Sequence, residues 1–78
     1  MHVFVGKVGE TLYDGEAYSL TAPGAAGELT VLSGHMPLVT TLKAGTARLH
    51  ATKDSEPMEF PVEGGVLEVT GDGARVLL

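Results

Sequence analysis

The chain has 78 residues, no cysteine, and ten acidic against five basic residues, for a formal charge of −5. Disulfides and thiolate metal sites are therefore excluded, and the acidic balance opposes binding to nucleic acid and to anionic lipid, both of which select basic surfaces. A hydrophobic fraction of 44% suits one small globular domain over residues 1–78, and no run approaches the roughly 20 apolar residues that cross a bilayer, so no direct membrane insertion is expected.

In chain order, the first segment, His2 to Val8, alternates as a strand, and it lacks the basic head and long apolar block of a signal peptide. A short arm is expected around Tyr13-Asp14-Gly15, followed by a strand over Glu16 to Ala22. The run Ala22-Pro23-Gly24-Ala25-Ala26-Gly27 predicts a loop leading into the strand Glu28 to Leu32. A Gly34-His35-Met36-Pro37 turn follows, and an extended segment then runs from Leu38 to Leu42, up to the Ala44-Gly45 turn. Residues 46–56 are the longest stretch free of glycine and proline. Even there, Ala47, Leu49 and Ala51 alternate with Arg48, His50 and Thr52, the period of a half-buried strand. A polar connection, Lys53 to Pro57, joins this strand to Met58, Phe60 and Val62, where Pro61 suits an edge because it cannot donate to a ladder. The segments Val66 to Val69 and Ala74 to Leu78 close on the Gly71-Asp72-Gly73 turn. Eight to ten short strands with no room for a long helix predict an all-β sandwich or small barrel.

The residues that carry chemistry are dispersed. His2, His35 and His50 have no second ligand at metal spacing, so two solvated strand histidines and one turn histidine are expected. Ser33 lies two residues from His35, yet the sequence around it lacks the strand-to-helix elbow of a nucleophilic serine. Asp54, Glu56, Glu59 and Glu63 crowd one hairpin without calcium-loop spacing, and they are read as a solvated acidic edge. Gly24 to Gly27 has no Lys-Ser/Thr after it and no helix to follow, so no nucleotide site is expected. No catalytic residue, metal or cofactor is assigned.

The order of the punctuation points is more informative than any one of them. Glu10-Thr11-Leu12-Tyr13-Asp14-Gly15-Glu16-Ala17 is followed by Pro23-Gly24-x-x-Gly27-Glu28-Leu29. Next come Gly34-His35-x-Pro37-Leu38, Lys43-x-Gly45 and Gly64-Gly65-Val66-Leu67-Glu68-Val69. This series resembles the N-terminal domain of the epsilon subunit of F-type ATP synthases, called delta in mitochondria. The resemblance implies a ten-stranded β-sandwich of two five-stranded sheets with no substantial helix. It further implies a non-catalytic rotor-stalk subunit at the cytoplasmic face of the bacterial inner membrane, with the gamma subunit and the polar loops of the c-ring as partners. Under it, His35, Thr40 and Lys7 face gamma, and Gly27, Glu28 and Leu29 form the loop that meets the c-ring. A purely structural corner is the alternative reading of His35.

Thr30 and Ser33 depart from the family pattern, which usually has glycine and proline there. The family continues into two C-terminal helices that restrain hydrolysis, and neither that restraint nor ATP binding is expected of residues 1–78. A free-standing β-sandwich binding module is the alternative function, and a small hydrolase using His35 or the acidic hairpin is the third.

Overall fold

The alternating apolar residues produce nine strands and no helix in the computed structural model, which describes all 78 residues. They are β1 (His2–Lys7), β2 (Glu10–Glu16), β3 (Ser19–Gly24), β4 (Gly27–Leu32), β5 (Leu38–Leu42), β6 (Gly45–His50), β7 (Met58–Val62), β8 (Gly65–Thr70) and β9 (Gly73–Leu77). Hydrogen bonds join β2-β1-β9-β8-β5 into one arm and β4-β3-β6-β7 into another, and the arms meet where β5 pairs with β3. All pairings are antiparallel except β1 with β9.

The expectation of ten strands in two separate five-stranded sheets is corrected to nine strands in one continuous, curled sheet. The reason lies at the corner. The segment read as a loop from Ala22 stays extended through Gly24, which sits opposite Leu42. Backbone bonds from Ala25 N–H to the Thr41 carbonyl and from Lys43 N–H to the Pro23 carbonyl, both 2.9 Å, then carry the ladder from one arm to the other. Only Ala25 and Ala26 remain as the turn into β4.

A second correction concerns Tyr13-Asp14-Gly15, which lies inside β2 rather than in an arm. Opposite it stand Val5, Phe4 and Val3, so pairing with the strongly apolar β1 extends a segment that its own residues would not. The break falls later, at Ala17-Tyr18. There the chain crosses between arms, with Ala17 N–H bonded to the Met1 carbonyl and Tyr18 N–H to the His50 carbonyl, each at 2.8 Å.

The inward positions of both arms form one cluster of 15 buried residues, with Leu20, Leu49, Leu67, Val3, Val5, Val31 and Val76 fully enclosed. Each such side chain contributes about 1.5–3 kcal/mol relative to exposure. Pro61 lies in β7, the terminal strand of its arm, as its missing donor requires. Glycine is obligatory at 73, where φ is 154° and a Cβ would fall 1.8 Å from the His2 carbonyl oxygen. That close approach lets β9 run beside β1.

Candidate docking surfaces

Register decides what each arm shows to solvent. Across the five-stranded arm the residues Val39, Glu68, Arg75, Phe4 and Asp14 stand in one outward row. The next outward row is Thr41, Val66, Leu77, Gly6 and Thr11. Val39 is 70% exposed, Leu77 45% and Val66 36%. Phe4 is half-buried, and its ring lies across Gly6, where a Cβ would come within 2.7 Å of it. The Arg75 guanidinium sits 5.8 Å above the Phe4 ring centre, with Glu68 Oε1 4.0 Å from one of its nitrogens. An exposed apolar face with a charged pair near its middle has the composition of a protein-binding surface.

The outward face of the four-stranded arm differs. Thr21 and Thr30 share a hydroxyl hydrogen bond of 2.9 Å, and Arg48 lies 3.6 Å from Glu28 and opposite Glu59. Thr30 thus serves as a cross-strand polar partner. Leu32 is the only large, exposed aliphatic side chain on that face.

Gly27, Glu28 and Leu29 open β4 immediately after the Ala25-Ala26 turn, with Gly27 at φ 137°. Glu28 points outward to Arg48, whereas Leu29 packs against the core. A recess of about 330 Å³ joins these three residues to Leu38 and Thr40. Thr40 is opposite the buried Leu67, so its side chain turns inward beside the β3–β4 turn, away from the apolar outer face.

His35 closes a turn in which its N–H donates to the Leu32 carbonyl at 3.0 Å, with Gly34 at φ 85°, the left-handed position such a turn needs. Its Nδ1 lies 2.8 Å from the Met36 carbonyl, which fixes that nitrogen as the donor. A 50 Å³ crevice places His35 beside Met1 and the Gly71-Asp72-Gly73 turn. Lys7 lies at the opposite end of the five-stranded arm. It pairs with Glu10 at 3.5 Å and lines a 460 Å³ cleft with Leu12, Phe60 and Leu78. His35, Thr40 and Lys7 therefore all belong to that arm or the loop entering it, but their side chains do not converge.

His2 and His35 both border the β8–β9 turn, although 33 positions separate them in sequence. His2 Nε2 meets Asp14 at 2.6 Å, and His50 Nδ1 meets the Ser55 carbonyl at 3.0 Å. No group of three or more His, Asp or Glu side chains has the geometry to hold a metal ion. The apolar residues Phe4, Val39, Val66 and Leu77 escaped sequence reasoning. Each is one member of a different strand, and only the pairing register gathers them.

Comparison with known proteins identifies the family and the fold. The sequence profile described as "ATP synthase, Delta/Epsilon chain, beta-sandwich domain" matches residues 1–78. The ATP synthase epsilon chain of Laribacter hongkongensis is 42% identical over 77 residues, covering 99% of this chain and 55% of the relative. That of Acinetobacter baylyi is 45% identical over the same length and shares. The chain thus spans about half the length of the curated relatives it matches. Among solved structures, a chain of the Euglena gracilis mitochondrial ATP synthase (OSCP/F1/c-ring) superposes with a TM-score of 0.86 at 21% identity, over 96% of this chain and 48% of that one. A chain of the Tetrahymena thermophila mitochondrial central stalk/c-ring gives 0.79 at 17% identity, over 99% and 61%.

Proposed function

We propose that this chain, which belongs to the delta/epsilon-chain β-sandwich domain family of ATP synthases, is a non-catalytic part of the central stalk. In this reading it docks on the gamma subunit and on the polar loops of the c-ring. It then turns with the rotor and helps couple proton flow to ATP synthesis. It is held at the membrane through the complex and, in line with its bacterial relatives, on the cytoplasmic face of the inner membrane.

The observation that carries the assignment of faces is the contrast between the two outer surfaces. A specific interface buries about 1,200–2,000 Å² in total, roughly half of it from each partner. The whole accessible surface here is 4586 Å², so one partner occupies most of one face. The five-stranded arm offers the apolar area, Phe4, Val39, Val66 and Leu77, and we assign it to gamma. Lys7 and His35 flank this area at its two ends, and Thr40 adjoins it through β5. Gly27, Glu28 and Leu29, at the corner where the arms join, are assigned to the ring. Glu28 then exchanges part of its pairing with Arg48 for a basic group of the c-ring loops.

Titration of the folded chain with the purified gamma subunit of the same organism tests this. A one-to-one complex of micromolar or tighter affinity is expected. Two folded proteins that fail to associate at that concentration refute it.

A further inference from the structure

We infer that Arg75 is the anchor of the five-stranded face, and that the partner docking there presents a carboxylate to it. The inference rests on the assignment of gamma to that face and adds the chemistry the gamma surface must carry.

Arg75 occupies the middle of the outward row, with Phe4 beside it on β1 and Glu68 on β8. Val39, Val66 and Leu77 lie on the same face. The guanidinium carbon lies over the Phe4 ring, 5.8 Å from its centre, within reach of a cation–π attraction that favours a cation at this place. Its side chain is 60% exposed. Glu68, at 4.0 Å, is beyond hydrogen-bonding distance, so the N–H donors of the fork are met by solvent.

A partner that covers the surrounding apolar residues strips that solvent away. Removing water from a guanidinium without replacing its hydrogen bonds is costly, and the apolar neighbours supply no acceptor. A carboxylate from the partner restores two parallel N–H···O bonds and fits the planar geometry of the fork. Arginine held in this way at the centre of an apolar patch is also the residue type that dominates interface energetics. Glu68 is then an internal competitor for the same guanidinium.

Affinity for purified gamma, measured with folded variants checked by circular dichroism, decides the matter. Arg75→Ala is expected to weaken binding by about tenfold or more, with thermal stability unchanged. Arg75→Lys should fall between the two, because the charge remains while the planar fork is lost. Glu68→Gln should leave binding unchanged or tighten it by freeing the guanidinium. Raising ionic strength should narrow the gap between wild type and Arg75→Ala. Equal affinity of Arg75→Ala and wild type would overturn the inference while leaving the gamma assignment intact. So would a loss in Glu68→Gln as large as in Arg75→Ala, which would mean that the pair closes on itself. Failure of the wild-type chain to bind gamma removes both the assignment and the inference.

Discussion

The two outward faces of this molecule are built from the same alternation and yet differ in kind. On the five-stranded arm, Val39, Val66, Leu77 and the half-buried Phe4 surround one charged pair. On the four-stranded arm, Thr21 and Thr30 share a hydrogen bond, Arg48 pairs with Glu28 and stands opposite Glu59, and Leu32 alone is large, aliphatic and exposed. Both cover the same core. The difference shows that an extended apolar face is not a requirement of folding, because the polar face encloses its half of the interior with one such residue, Leu32. Apolar side chains gathered on one face have the composition of a protein-binding surface.

The comparison is broken most severely by Gly73→Val. Its Cβ would overlap the His2 carbonyl, separate β9 from β1 and dismantle the five-stranded surface. A loss of about 3 kcal/mol or more in urea unfolding is expected, which for a domain of this size approaches loss of the fold. Next is Leu77→Asp. A charge placed among the apolar residues should reduce gamma affinity by about 2 kcal/mol, read by calorimetry, while Thr30→Asp on the other face leaves that affinity unchanged.

Gly34→Val forces a β-branched residue to φ 85° in the turn that delivers the chain to β5. A cost of about 1–3 kcal/mol is expected, visible as a lower urea midpoint with an unchanged slope. The smallest effects belong to the polar face. Glu28→Lys should alter stability by less than about 0.5 kcal/mol, since its pair with Arg48 is exposed and long. The same variant should lower proton-driven ATP synthesis in membranes carrying the assembled complex, and undiminished synthesis would remove Glu28 from the ring contact.

Much of this was legible in the residues. Alternation placed β1, β4, β5, β6, β7, β8 and β9 near their observed positions, and Pro61 marked an edge. The turn expected at Gly34-His35-Met36-Pro37 is present, with Gly34 at φ 85°. Segments whose state depends on a partner strand were misread. Tyr13-Asp14-Gly15 is extended because β1 pairs with it, and Ala22 to Gly24 because β4 lies beside it and Leu42 meets it at the corner. Local composition holds no trace of either partner.

The site residues divide in the same way. The motifs around Gly27, Glu28, Leu29 and His35 are contiguous, so a one-dimensional pattern can display them. The apolar face is assembled from Phe4, Val39, Val66 and Leu77, on four strands, and no window of sequence contains it.

By itself, then, the sequence determined the all-β class, the buried residues Ala47, Leu49, Phe60 and Val62 of β6 and β7, and the family, because short-range alternation and turn chemistry are local properties of the chain. Tertiary structure alone decided that the sheet is one continuous ladder, that Thr40 turns inward beside Leu29, and that Arg75 stands over Phe4 within an apolar face. Those outcomes depend on strand register and on which strand lies beside which. Register is set by long-range burial of the whole core, where a slip of one residue would exchange the inner and outer faces.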